Sequence, residues 1–79
     1  MKVKKINFND IQANVYIYEN VVEQLFLIAM PEINWSLEVE STLNEDDMKE
    51  ELVIHLFTLL DESTASHFAD DIVKWIFEN

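Results

Sequence analysis

The sequence predicts an α+β fold, in which a three-stranded antiparallel meander precedes an antiparallel two-helix hairpin packed on one face of the sheet. Two observations carry this prediction. Apolar and polar residues alternate with a period of two in the first half of the chain, whereas apolar residues recur at helical spacing in the second half. The 79 residues suffice for one hydrophobic core, so we expect a single domain over residues 1–79.

Three predicted strands occupy the first half of the chain. Residues 12–18 and 34–40 each place apolar side chains at alternate positions, which is typical of half-buried strands. Residues 24–30 are apolar at odd and even positions alike, which is typical of a central strand. The connections are short, so consecutive strands should pair antiparallel. Residues 1–9 are ambiguous and would allow a short additional edge strand.

Two helices follow, and their starts are marked by capping residues. Asn44 is a good N-cap for the first helix, with Asp47 at the third helical position. Apolar residues in this helix extend well beyond one stripe. Asp61 or Ser63 can cap the second helix, whose buried face we expect to contain Ala65, Phe68, Ala69, Ile72, Val73 and Ile76.

The chain contains no glycine. Phosphate-binding loops and dinucleotide fingerprints need glycine where the backbone approaches phosphate, so both classes of site are excluded. Turns that require a positive φ must use another residue, and Asn20 and Asn44 are the candidates.

The net charge of −11 is unevenly distributed, because three of the five bases lie within the first five residues. Such a field repels nucleic acid and anionic membranes, so we expect neither as a partner. The chain has no cysteine, no apolar run of membrane-spanning length and no apolar segment after its basic start. We therefore expect a small acidic protein of the cytoplasm.

The middle strand raises the question of what covers its second side. If Leu25, Leu27 and Ala29 face the helices, the outer face of the sheet carries a contiguous apolar patch of Tyr16, Tyr18, Phe26, Ile28 and Met30. Soluble monomers rarely expose such a patch, so it predicts a self-associating interaction module, most simply a homodimer. In the alternative, the strand register is opposite and these residues are core, or residues 1–9 cover them.

The acidic second half allows a second function. Residues 44–79 hold ten acids and two bases, and five of the acids cluster between positions 45 and 51. An acidic helical surface of this kind can imitate a nucleic-acid backbone and dock on a basic, nucleic-acid-binding protein. A surface that only keeps the protein in solution is the simpler interpretation.

No catalytic, cofactor or metal site is predicted, and we expect no enzymatic activity. Glu51 with His55, and His67 with Asp71, share helix faces and would allow a divalent metal, but the spacing is permissive rather than specific. The serines and acids that begin the second helix are explained by capping more simply than by a catalytic triad.

The segment 15–20, VYIYEN, is followed by Trp35 after the second turn and by an acidic helical half that ends near Trp75. This arrangement resembles the YueH-like proteins, a family of small intracellular proteins of low-GC Gram-positive bacteria, over nearly the whole chain. The resemblance implies a bacterial intracellular protein of this kind, and it supplies no activity and no site residues.

Overall fold

The computed structural model describes residues 1–8 and 10–78, which form a four-stranded sheet followed by two helices. The strands are β1 Lys2–Phe8, β2 Ile11–Asn20, β3 Leu25–Met30 and β4 Trp35–Glu40. The helices are α1 Glu45–Leu56 and α2 Glu62–Phe77. The chain divides into two compact units, the sheet unit Met1–Thr42 and the helical unit Leu43–Asn79. The α+β class is confirmed, whereas the single domain and the packing of the helices on the sheet stay predictions.

The sheet is an antiparallel meander in chain order, β1-β2-β3-β4. The ambiguous N-terminal residues form a full edge strand, in which Lys2 pairs with Ile17 and Phe8 with Ile11. A short 3₁₀ helix, Pro31–Ile33, connects β3 to β4. Its first residue is proline, which has a fixed φ and no N–H for a β-ladder, so strand β3 ends before it. The meander therefore has four strands rather than three.

One face of the sheet is buried, and its side chains come from all four strands. Alternation on β2 and β4 predicts this face correctly: Val15 and Ile17 are buried, as are Trp35 and Val39. The remaining buried side chains on this face are Ile6, Ala13, Ile28 and Met30.

The predicted facing of β3 is wrong. Ile17 pairs with Ile28, so Ile28 and its face neighbours Phe26 and Met30 lie on the buried face. Ile28 and Met30 are fully buried and Phe26 is half-buried. The reason is parity: the turn between β2 and β3 has four residues, 21–24, and this even number pairs odd positions of β2 with even positions of β3.

The helical unit is a hairpin with a short connection over residues 57–61. Asn44 caps α1 as predicted, since its Oδ1 accepts a hydrogen bond of 2.8 Å from the Asp47 N–H. Asp61 caps α2, accepting from the Thr64 N–H at 3.2 Å. Lys49 Nζ of α1 lies 2.8 Å from Asp70 Oδ1 of α2, which links the two helices across their solvent-facing edge.

The buried faces of both helices follow their apolar periodicity. Met48, Leu52 and Leu56 are the buried residues of α1. On α2, the predicted face is buried except for Ile76, which is half-buried, and Thr64 joins it. Within the described residues, neither helix is long and apolar enough to cross a membrane.

Positive φ angles occur at other residues than predicted. Asp10, Gln24 and Asn34 adopt them, whereas Asn20 and Asn44 do not. Asn20 instead shapes its turn through its side chain, because its Oδ1 accepts a hydrogen bond of 3.1 Å from the Glu23 N–H. Asn44 has an extended N-cap conformation with φ −76°.

Candidate interaction surface

The second face of the sheet carries an apolar group that solvent reaches. The ladder register places Tyr16 beside Ala29, Tyr18 beside Leu27, and Val3 beside Tyr16. Leu25 continues the row opposite Asn20. We call this group, on β1 to β3, the outer patch: Val3, Tyr16, Tyr18, Leu25, Leu27 and Ala29.

Three members of the outer patch are exposed and three are half-buried. Val3 is 53% exposed, Tyr18 44% and Leu27 39%. The other three members are half-buried. Directly opposed side chains on adjacent antiparallel strands are about 5 Å apart, so the patch is contiguous rather than a set of isolated residues.

Strand alternation explains why these residues share a face. Tyr16 and Tyr18 occupy even positions of β2, so they lie on the face opposite the buried side chains of Val15 and Ile17. β3 has no polar residue at all, so it contributes apolar side chains to this face as well as to the buried one. All three strands therefore contribute exposed apolar area to this face, through Val3 of β1, Tyr18 of β2 and Leu27 of β3.

Charged residues border the outer patch at two opposite corners. Glu38 pairs with Leu27 and Glu40 with Leu25, so both carboxylates lie along the β4 side. Lys5 pairs with Asn14 at the other end of the β1 side. All three charged side chains are exposed.

Glu32 lies near Asn14 and closes an open part of the β2 edge. One carboxylate oxygen accepts from the Asn14 N–H at 3.2 Å, and the other accepts from Asn14 Nδ2 at 3.3 Å. Asn14 lies beyond the residues of β2 that pair with β3, so the side chain of Glu32 replaces a missing strand as the acceptor. A cavity of about 450 Å³ beside it is lined by Lys5, Asn7, Gln12 and Glu32, among others.

The structure divides the five residues predicted as an interaction surface between the two faces. Tyr16 and Tyr18 lie on the outer patch as predicted, whereas Phe26, Ile28 and Met30 lie on the buried face. Sequence reasoning missed the other four members of the patch, Val3, Leu25, Leu27 and Ala29. β3 is apolar at every position, so the parity of the preceding turn alone decides which of its two alternate sets is outward.

The histidine pairs are formed, but they do not combine into a metal site. His55 Nε2 lies 3.6 Å from Glu51 Oε2, and His67 Nε2 lies 3.5 Å from Asp71 Oδ2. Among the residues described, no group of three or more histidine, cysteine or acidic side chains is arranged to hold a metal ion. Both pairs are the helical i, i+4 contacts that their spacing predicts.

The family of the chain follows from two comparisons. A model of the YueH-like protein family matches residues 2–78. The chain belongs to the YueH-like family. The chain is similar to the uncharacterized protein YueH of Bacillus subtilis (strain 168). The two are 30% identical over 81 aligned positions, which cover 99% of each protein. No solved structure matches this YueH-like chain.

Proposed function

We propose that this YueH-like protein is a non-enzymatic interaction module that associates with its own copies through the outer patch. The observation that supports the proposal is the exposure of Val3, Tyr18 and Leu27 as one contiguous group on a sheet face. Removal of such an apolar surface from water is the main favourable term in protein association. Tyrosine is also enriched at interfaces, where its ring packs and its hydroxyl stays hydrated.

The distribution of charge supports the sheet as the associating face. The sheet unit has three lysines against six acids, whereas the helical unit has two lysines against ten acids. Two copies that met through their helical units would therefore bring net charges of −8 together, against −3 for two sheet units. Coulomb repulsion is weaker for the sheet contact.

Sedimentation velocity over a range of concentrations tests the proposal. Wild type should shift from monomer towards dimer as its concentration rises through the micromolar range. Leu27→Glu and Tyr18→Glu should each weaken association at least tenfold. Each substitution buries a charge without a partner in both halves of a symmetric contact, and the expected loss is of this order.

Val22→Glu is the matched control, because Val22 is an exposed valine of the same sheet unit on the turn between β2 and β3. It adds the same charge outside the outer patch, so association should stay near that of wild type. A wild-type protein that stays monomeric at high micromolar concentration would contradict the proposal. Equal effects of Val22→Glu and Leu27→Glu would also contradict it, since they would indicate net charge rather than the patch.

A second proposal concerns the helical unit, which would dock on a basic protein partner. The supporting observation is that Glu45, Asp46, Asp47, Glu50 and Glu51 are all exposed on the first two turns of α1. Binding of this type weakens steeply with ionic strength. Partners captured from a bacterial lysate should elute with salt and be lost with Asp46→Asn/Glu50→Gln. The control Glu19→Gln/Glu23→Gln, which removes the same charge from the sheet unit, should retain them.

We place this activity in the bacterial cytoplasm and propose no catalytic role or cofactor. The absence of cysteine supports a reducing compartment, and the Bacillus subtilis relative supports a bacterial source. The absence of glycine supports a protein without nucleotide or phosphate chemistry. Fractionation of cells that express a tagged copy would test the location, and recovery from the periplasmic or membrane fraction would contradict it.

A further inference from the structure

We propose that the cavity beside Glu32 binds a zwitterionic α-amino acid whose side chain ends in a carboxamide. This site goes beyond the self-association proposed above. It lies where β1 and β2 extend past β3, since β3 pairs only with residues 16–20 of β2. The volume of the cavity is about 450 Å³. Small-molecule pockets occupy about 300–1,000 Å³, so a ligand of this size has room.

Four polar side chains from β1 and β2 form the floor of the cavity. Lys5 pairs with Asn14 and Asn7 pairs with Gln12, so the ladder places all four on the face that carries the outer patch. Directly opposed side chains on antiparallel strands are about 5 Å apart. Asn14 is half-buried and the other three are exposed. The floor therefore presents one ammonium group and three carboxamides to a ligand.

Glu32 forms an acidic wall at one side of this floor. Its two carboxylate oxygens accept hydrogen bonds from the N–H and from Nδ2 of Asn14, at 3.2 and 3.3 Å, which fix the carboxylate in place. A carboxylate oxygen can accept two hydrogen bonds, so each keeps one free acceptor site. Within residues 1–8 and 10–78, neither Lys5 nor Glu32 makes an ion pair, although both line the same cavity.

The two separated charges determine the class of ligand. A simple anion would meet the carboxylate of Glu32, and a simple cation would meet the ammonium group of Lys5. A zwitterion satisfies both, with its carboxylate towards Lys5 and its ammonium group towards Glu32. It also has no net charge for the field of a chain of net charge −11 to repel or attract. Charge-assisted hydrogen bonds of this type are stronger than neutral ones.

The carboxamides indicate the side chain of the ligand. Asn7, Gln12 and Asn14 each offer N–H donors and an acceptor oxygen. A carboxamide on the ligand complements them in both roles, whereas an apolar side chain would displace their water without replacing its hydrogen bonds. L-Glutamine carries the zwitterion and the carboxamide in one molecule, so it is the probe of choice.

Titration of the isotope-labelled protein with L-glutamine, followed by NMR at low protein concentration, tests the proposal. Wild type should bind with a Kd on the order of millimolar, and the largest shifts should fall on the amides of Gln12 and Asn14. Lys5→Met and Glu32→Gln should each weaken binding about fivefold, the upper end for an exposed ion pair. The controls Lys74→Met and Glu23→Gln remove the same charges from exposed positions outside the cavity and should bind like wild type.

Ligands that lack one charge test the orientation at constant ionic strength. Glutaramic acid lacks the ammonium group, and L-glutaminamide lacks the carboxylate, so each should bind wild type more weakly than L-glutamine. In Glu32→Gln, loss of the ammonium group should cost little more, because its partner is already absent. In Lys5→Met, loss of the carboxylate should likewise cost little more. The opposite combinations should lose both contacts.

Three results would overturn the proposed site. The first is the absence of a saturable shift in wild type at tens of millimolar L-glutamine. The second is binding that Lys5→Met and Glu32→Gln leave as tight as the control variants do. The third is a set of losses that add equally in every combination of variant and ligand, since the two charges would then have no specific partners. Self-association is tested separately by Leu27→Glu, so it stands or falls independently of these results.

Discussion

Gln24 ends the turn between β2 and β3 with a φ of 56°, in a chain that contains no glycine. A residue with a Cβ atom pays about 1 kcal/mol or more for this left-handed conformation, which glycine adopts freely. Gln24→Gly should therefore raise the free energy of unfolding by up to about 1 kcal/mol, less the extra entropy that glycine gives the unfolded chain. Urea denaturation at low protein concentration measures it. Gln12→Gly, within strand β2, is the control and should destabilise.

Asp61 gives the N-terminus of α2 a pH-dependent element. The Thr64 hydroxyl and then the Thr64 N–H donate hydrogen bonds that hold the pKa of the Asp61 carboxyl below its ordinary value. A lowered folded-state pKa stabilises the fold above the ordinary carboxyl pKa, and this contribution is lost as the pH falls through the lowered value.

Asp61→Asn should therefore change stability in a pH-dependent manner. Asparagine keeps the capping oxygen but cannot ionise. The difference in free energy of unfolding between wild type and variant should be constant at neutral pH and should shrink from about pH 5 downwards. Urea titrations at a series of pH values test this. A difference that grows on acidification would contradict the assigned cause.

Among the elements, α1 has two apolar stripes of different exposure. Leu52 is fully buried, whereas Ile54, two residues later, is 55% exposed. Leu52→Ala should cost about 2–5 kcal/mol of unfolding free energy, because it leaves a cavity in packed surroundings. Ile54→Ala should cost much less, about 0.5 kcal/mol, because more than half of Ile54 is already exposed to solvent. Equal losses in chemical denaturation would show that the second stripe is also core.

The strands show how far sequence determines facing. On β2 and β4, polar residues mark the outward positions, so the buried row could be predicted residue by residue. β3 reads Leu-Phe-Leu-Ile-Ala-Met, and no polar residue distinguishes its two faces. Its facing depends on whether the preceding turn has an odd or even number of residues. The predicted strands leave five residues between them, 19–23, whereas the observed turn has four. This difference of one residue put Phe26, Ile28 and Met30 on the wrong face in the prediction.

The helices were predictable because local chemistry specifies them. Asn44 and Asp61 each bring an acceptor to free N–H groups at a helix start, independently of the rest of the molecule. Apolar spacing then identifies the buried residues of α2. The long-range pairing of β1 with β2 has no such local signal, so residues 1–9 were ambiguous in the sequence.

At the scale of the whole molecule, a net charge of −11 on 79 residues opposes compactness. Acids repel one another most when the chain is folded, and mobile ions screen this repulsion. Raising the sodium chloride concentration should therefore raise the thermal midpoint by several degrees, on the order expected for about 1 kcal/mol in a chain of this length. Scanning calorimetry at fixed low protein concentration measures the shift, and a midpoint that falls with salt would contradict it.

The turn between β2 and β3 has one further consequence. Val22 is 93% exposed there, and the chain contains no cysteine. Val22→Cys therefore creates one reactive thiol at a site outside the outer patch. A fluorophore coupled to this thiol would sit at the same single position in every copy. Energy transfer between copies that carry a donor and copies that carry an acceptor would then report how closely two copies approach each other.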